Sequence, residues 1–238
     1  MKKIVGRAYS GVIKSVLRGV NPLKKRIVDT PCLVHIMINN GALEELKVLG
    51  YHNEYSWFDE YKQYVNSGVV WADQDFKSIN HFFHHKKRRG LFGFNDAYGL
   101  FSEYYNESVK RMEQKDYKKS MFYLGAAFHL LHDSTVPHHI LNKLLLKHRS
   151  FEQWIIKNFA KRGIKLVTRE ALEYDKVESY LFNNVDFSYK TYIASRKIRN
   201  EDERYHFIGR KIIKRSQSST AGLMIKFYNE NIRKEGKI

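Results

Sequence analysis

Apolar residues recur at spacings of three and four along most of the chain, the pattern of helices that bury one face. No pair of alternating runs joined by a hairpin signal is present. We therefore expect an all-α protein, built as a single compact multi-helix domain. The predicted helices span residues 33–48, 54–66, about 95–114, 117–134 and 148–161, with two or three more between 176 and 232.

Capping and breaking residues place the ends of these helices. Gly50 follows the helix at 33–48, and Ser67-Gly68 is expected to end the next one. Asn95 or Asp96 can cap the helix that runs to about residue 114, and Asp116 can cap the one that follows. Residues 69–92 lack helical periodicity, and a loop of that length in a compact domain is usually functional.

Residues 1–20 predict a basic amphipathic helix, because lysines and arginines alternate with a regular apolar stripe. Its apolar face can pack on the protein's own core or lie on an anionic membrane, and both readings stay open. Arg7, Lys14 and Arg18 interrupt any apolar signal core, so no signal peptide is expected. We divide the chain into an extension, residues 1–32, and a catalytic domain, residues 33–232.

The composition limits which binding partners and which metal ligands the chain is expected to have. Lys and Arg number 42 against 25 Asp and Glu, a formal charge of +17 that favours lipid headgroups, phosphate esters or nucleic acid. The run from His84 to Arg89 adds a basic loop that either attracts an anionic surface or is simply solvated. Cys32 is the single cysteine, so an internal disulfide is excluded and any metal must be held mainly by His and carboxylates.

Two His/acid pairs at helical spacing carry the candidate chemistry. His129 and Asp133 are four residues apart and share a helix face, as do His148 and Glu152. Between the pairs, Pro137-His138-His139 turns the chain. Apolar and small residues surround His129, and an unpaired buried Asp133 would be costly, a cost that a bound metal removes.

These residues and their spacing resemble the bacterial zinc-dependent phospholipases C. The motifs that carry the resemblance, in family order, are His35 with Asn39, Asn40, Ala42 and Leu43; Trp71-Ala72-Asp73; Asn80-His81-Phe82; Tyr123-Leu124-Gly125 with His129, Asp133 and Pro137-His138-His139; His148 with Glu152; and Thr220-Ala221-Gly222. The family shares its fold with fungal single-strand-specific zinc nucleases. The resemblance implies a domain folded around a polynuclear zinc cluster.

The resemblance implies up to three zinc sites, of which two are expected to bind tightly. The first would be held by Asp73, His81, His129 and Asp133; the second by His139, His148 and Glu152; the third by Asp133 with His35. Asp73 would also help to deprotonate the attacking water. His85 is the alternative to His81 as the ligand from the loop.

The resemblance also marks where the chain departs from the family. Residues 22–34 lack the tryptophan that ligates the third ion in the family, so we expect any third ion to be weakly held, unless Asp29 or Cys32 substitutes as its ligand. Gln74 and Ser78 occupy the positions where choline-preferring members place aromatic residues. We expect these two positions to contact the substrate, without the aromatic cage that suits a quaternary ammonium.

The expected function is phospholipase C cleavage of a phospholipid to diacylglycerol and a phosphorylated headgroup. The partner is then a phospholipid or an anionic membrane surface, and the protein is expected to be a monomer. The alternatives are a zinc-dependent nuclease or nucleotidase acting on nucleic acid, and a non-catalytic, metal-stabilised protein of the membrane surface. Family members are usually secreted; without a signal peptide, a cytoplasmic or membrane-associated location is open as well.

Overall fold

The computed structural model describes residues 32–73, 81–90, 96–141, 148–162, 166 and 168–233, and nine α-helices make up most of them. The helices are α1 (Leu33–Val48), α2 (His52–Glu60), α3 (Lys62–Ala72), α4 (Ala97–Glu113), α5 (Tyr117–Asp133), α6 (Pro137–Ile140), α7 (His148–Ile155), α8 (Val177–Ser195) and α9 (Glu201–Asn231). A π-helical turn, Ile156–Ala160, continues α7. No β-strand occurs among the described residues. The expectation of an all-α protein is confirmed.

Helix α5 is the central helix of the domain, and it packs against α3 and α4. Every residue from Leu124 to Asp133 is buried, as expected for a helix enclosed on all sides. Its two ends follow the expected signals: the Asp116 side chain accepts a hydrogen bond from Lys119 N at 3.3 Å, and Pro137 begins α6. Asp96 caps α4 in the same way, through Gly99 N at 2.9 Å.

The expectation that Ser67-Gly68 ends a helix is wrong, because α3 continues through Gly68 to Ala72. A Cβ atom added at Gly68 would lie 1.8 Å from the carbonyl oxygen of Phe122, and one at Gly125 would lie 2.0 Å from that of Val65. The two glycines are therefore contact points where the backbones of α3 and α5 meet, not chain breaks. This contact fixes how closely α3 and α5 approach each other.

The long helix α9 closes the other side of the domain against α1 and α8. Its start is capped by Asn200, whose side chain accepts a hydrogen bond from Glu203 N at 3.0 Å. A second, smaller apolar cluster joins α9 to α7 and α1; among its members are Ile38, Phe151, Ile155, Phe159 and Ile208. This cluster fixes α7 beside the first half of α9.

Residues 81–90 form an irregular segment that runs beside α6. Phe83 N donates a hydrogen bond to His139 O at 3.3 Å, and His85 N donates to Ile140 O at 3.0 Å. These backbone bonds satisfy polar groups that a non-helical segment would otherwise leave unpaired, and they hold His81 near the end of α5.

Several sequence expectations fall outside the described residues. They are the amphipathic helix at 1–20, the candidate ligand Asp29, and the substrate positions Gln74 and Ser78. Within the described residues, none of the helices combines the length and the apolar character needed to cross a membrane.

Candidate metal centre

Asp133, the last residue of α5, is the centre of a group of buried and half-buried ionisable side chains. Its Oδ2 lies 2.9 Å from His81 Nδ1, 3.3 Å from His129 Nε2 and 3.9 Å from His139 Nδ1, and its Oδ1 lies 3.6 Å from His35 Nε2. We call these residues, together with Asp73, the Asp133 cluster.

Five separate segments bring these side chains together. His129 precedes Asp133 by one turn of α5, so its position follows from helical geometry alone. His139 comes from α6, where the chain turns after Pro137, and His35 comes from the first turn of α1. His81 is supplied by the segment beside α6.

Asp73 stands at the C-terminal end of α3, on the solvent side of the cluster. Its carboxylate and the ring nitrogens of His81 and His129 lie within 4.8 Å of one another. Asp73 is half-buried, whereas His81, His129 and Asp133 are 1–4% exposed. Cys32 Sγ lies 3.4 Å from Asp73 Oδ2, within reach of a weak thiol hydrogen bond.

Burial and neighbouring charges set the protonation of the group. Burial alone would raise the pKa of Asp133, but His139 and His129 outweigh it and hold that pKa well below its ordinary value. Burial would likewise lower the pKa of His129, yet the Asp133 carboxylate raises it. His35 has its pKa lowered to about 3, first by burial and then by repulsion from His129. The centre thus combines an ionised carboxylate with one imidazole whose pKa is raised, that of His129, and one whose pKa is lowered, that of His35.

Three of the donor atoms have the spacing that suits a zinc site. In a tetrahedral site with bonds of about 2.0–2.1 Å, neighbouring donors are roughly 3.3 Å apart. Around Asp133 Oδ2, the facing nitrogens of His81 and His129 are 3.2 Å from each other and 2.9 and 3.3 Å from the carboxylate oxygen. Two imidazole nitrogens at this distance can share one proton or bind one cation between them, and the ionised carboxylate oxygen beside both favours the cation. The residues present fit a zinc ion.

The other residues that the sequence suggested as metal ligands lie in different surroundings. Of the two loop histidines, His81 is in the cluster, whereas the ring of His85 stacks on Tyr189 of α8 at 3.9 Å. Glu152 lies at an exposed position of α7. His148 begins the same helix, and its side chain lies outside the described part of the structure.

One buried residue at this centre escaped the sequence reasoning. His132, 1% exposed, has its Nδ1 3.1 Å from His35 Nδ1 and its Nε2 2.9 Å from Thr220 Oγ1 of α9. Burial lowers the pKa of His132 well below its ordinary value, and His35 and His129 lower it further. Its position beside Asp133 in an apolar helix could have pointed to it, but no acidic residue follows it four positions later, as Asp133 follows His129.

Comparisons with known proteins identify the family and the fold. Residues 34–217 match the family model described as zinc dependent phospholipase C. The fold is similar to that of the alpha toxin from Clostridium absonum, with a TM-score of 0.70 and 17% sequence identity over 86% of this chain and 65% of the toxin chain. It is also similar to Clostridium perfringens alpha-toxin from avian strain SWCP, with a TM-score of 0.68 and 16% identity over 83% of this chain and 64% of the toxin chain.

The chain thus spans somewhat less than two thirds of the length of each toxin, and at these identities the likeness is one of fold. A sequence search among curated proteins finds no match.

Proposed function

The chain belongs to the zinc-dependent phospholipase C family, and on that premise we propose that it hydrolyses phosphodiesters, with a phospholipid as the substrate. The products would be diacylglycerol and a phosphorylated headgroup. The observation that carries the proposal is the convergence of His81, His129 and Asp73 with the ionised carboxylate of Asp133, at distances that suit zinc.

The described residues support one ion most directly. Asp73, His81, His129 and Asp133 would hold it, and Asp133 would be shared with another ion that His35 holds through Nε2. His139, with His148 and Glu152 of α7, would hold the remaining ion. When bound, such ions polarise a phosphodiester and lower the pKa of coordinated water.

Asp73 is suited to receive the proton of the attacking water. Its carboxylate is half-buried, at the edge of the cluster, and a carboxylate so placed can accept a proton from a nearby water. The water oxygen would form a bond to phosphorus while the bond from phosphorus to the glycerol oxygen breaks. The departing alkoxide then takes up a proton to give the diacylglycerol hydroxyl.

The surface near the site suits an anionic lipid surface as the partner. Residues 86–89, Lys-Lys-Arg-Arg, are all exposed. Arg88 rests with its guanidinium 4.8 Å from the ring of Phe182 and 3.8 Å from the carboxylate of Asp186, which anchors this loop to α8. The neighbouring lysines extend into solvent and carry the positive charge that would attract phosphate groups.

The test is a hydrolysis screen on zinc-replete full-length protein against short-chain phospholipids, single-stranded DNA and mononucleotides. We expect release of the phosphorylated headgroup from phospholipid, and Asp73→Asn should lower the rate by about 10²–10⁴-fold. Asp59→Asn, an exposed aspartate that pairs with Lys62 on the surface, is the matched control and should keep the rate. Cleavage of DNA or nucleotides alone would favour the nuclease alternative, and no turnover at all by zinc-loaded protein would favour the non-catalytic one.

A further inference from the structure

His132 connects the candidate metal centre to α9 through a line of hydrogen-bonding atoms. His35 Nδ1 faces His132 Nδ1 at 3.1 Å, and His132 Nε2 faces Thr220 Oγ1 at 2.9 Å. The ring centroids of His35 and His132 are 5.3 Å apart, much farther than the two nitrogens. The rings therefore meet edge to edge, with nitrogen directed at nitrogen, as an N–H···N hydrogen bond requires.

Only one proton can occupy the space between these two nitrogens, so the two rings must adopt complementary tautomers. In the first arrangement, His35 Nδ1–H donates to His132 Nδ1 and His132 Nε2–H donates to Thr220 Oγ1. That arrangement leaves a lone pair on His35 Nε2. In the second, the Thr220 hydroxyl donates to His132 Nε2, His132 Nδ1–H donates to His35, and His35 Nε2 carries a hydrogen.

The two arrangements differ at His35 Nε2. Both place their two protons between the same partners, 3.1 Å and 2.9 Å apart, so the line alone is compatible with either. In the second, the Nε2–H of His35 would be directed toward Asp133 Oδ1 at 3.6 Å, too long for a hydrogen bond, whereas the first leaves the Nε2 lone pair that a metal ion requires. The His35 ring also lies on that of His129, with centroids 4.1 Å apart and planes inclined by 14°, so it has little freedom to turn away.

We propose that His132 and Thr220 are positioning residues, which hold His35 as the Nδ1–H tautomer and so direct the lone pair of its Nε2 toward the Asp133 carboxylate for a metal ion. The proposal rests on the proposed function, because it assumes that the Asp133 cluster binds zinc. Hydrogen bonds of this kind behind a histidine ligand raise its basicity and fix its orientation. Thr220 is fully buried in the middle of α9, so the line ends at a rigid point.

Four substitutions separate this role from simple packing. His132→Leu removes both contacts, and His132→Asn restores an acceptor oxygen near the position of Nδ1 without reaching Thr220. Thr220→Val removes only the hydroxyl and keeps the shape. Ser219→Ala is the control: this buried neighbour on α9 contacts Asn184 instead, at 3.0 Å, and lies outside the line.

The first readout is zinc affinity, measured for each variant by competition with a chromophoric chelator. We expect His132→Leu to weaken the most loosely held zinc by about 10–100-fold. His132→Asn should recover much of that loss, Thr220→Val should show a smaller loss, and Ser219→Ala should show none. The second readout is the ¹⁵N spectrum of the histidine side chains in metal-free protein, with His35 assigned by comparison with His35→Gln. It should show a hydrogen on Nδ1 of His35 in wild type and a change of tautomer in His132→Leu.

The outcomes distinguish this proposal from the proposed function. Wild-type protein that binds no zinc would overturn the metal site and this proposal with it. If wild type binds zinc and a folded His132→Leu variant binds it with equal affinity, only the positioning role is overturned. A hydrogen on Nε2 of His35 in the metal-free wild type would also overturn the positioning role. So would a result in which His132→Asn does not restore the zinc affinity and Thr220→Val does not lower it.

Discussion

Cys32 and Asp73 are neighbours in space although 41 residues separate them in the chain, and the thiol lies 3.4 Å from Asp73 Oδ2. Burial raises the pKa of Cys32, and the Asp73 carboxylate raises it further. The sulfur thus contacts a carboxylate of the first proposed zinc site. Cys32 is therefore better placed to orient Asp73 through a thiol hydrogen bond than to complete the third metal site.

We predict that Cys32 is not a metal ligand. Protein loaded with cobalt(II) in place of zinc should lack the near-ultraviolet charge-transfer band that a thiolate ligand produces, and Cys32→Ser should keep the wild-type zinc content. A charge-transfer band that disappears in Cys32→Ser would refute this, and would make Cys32 the replacement ligand that the sequence suggested.

Zinc content should depend on residues from both sides of the cluster. The double variant His129→Ala with His148→Ala should lose most of the zinc found in wild-type protein purified without chelator. His52→Ala with His206→Ala, two exposed histidines on α2 and α9, is the matched control. Elemental analysis provides the count, and only trace zinc in the wild type would end the metal hypothesis.

Removing the zinc should also lower thermal stability, because the Asp133 cluster ties α1, α3, α5 and α6 together. At a hundredfold excess over its dissociation constant, one bound ion stabilises the fold by about 2.7 kcal/mol, or roughly 5–10 °C in a domain of this size. Melting curves recorded before and after verified metal removal measure the difference. An unchanged melting temperature would mean that the ions do not hold the helices together.

The contact between α3 and α5 should be sensitive to a single methyl group. Gly125→Ala would place a Cβ atom 2.0 Å from the carbonyl oxygen of Val65, and backbone cannot easily yield, so we expect a loss of about 1–3 kcal/mol or more in the free energy of unfolding. Gly99→Ala is the control, since among the described residues its Cβ would meet Asp96 Oδ1 at an ordinary 3.6 Å. Urea denaturation should show the control unchanged or stabilised by up to about 1 kcal/mol. Equal stabilities for the two variants would contradict the close contact.

Tyr180 should make the fold sensitive to alkaline pH. Its hydroxyl donates to Gly222 O at 3.1 Å and accepts from Tyr174 N at 3.2 Å. Burial raises its pKa from 10.0 to about 12, while the Tyr174 N–H acts in the opposite direction. A raised pKa means that the fold prefers the neutral phenol, so this contribution is complete below pH 10 and is lost as the pH rises from 10 toward 12.

Tyr180→Phe tests that dependence. At pH 8 the variant should be less stable than wild type by about 1 kcal/mol, because a buried hydrogen bond is lost. Above pH 10 the gap should shrink by up to roughly 1.4 kcal/mol per pH unit, since only wild type must keep the phenol protonated. Urea denaturation of both proteins from pH 8 to 11 measures the gap. A gap that stays constant would show that the Tyr180 hydroxyl titrates normally.

Local patterns in the sequence were enough to predict features whose interacting residues lie within one or two helical turns of each other. The bounds of α1, the caps at Asp96 and Asp116, and the pairing of His129 with Asp133 all follow from backbone hydrogen bonds and periodicity over three or four residues. The family motifs added the prediction that His35, Asp73 and His81 would join them. In the structure these side chains do lie around Asp133.

Contacts over long sequence separations were decided only by the packing of the helices. Gly68 looked like a helix end because glycine usually breaks helices, and only the backbone of α5 facing it shows why the missing side chain is needed there. The role of His132 could not be predicted from the sequence, because its partners are His35, 97 residues away, and Thr220, 88 residues away. No periodicity can encode such a meeting, since it depends on how α1, α5 and α9 pack around a shared core.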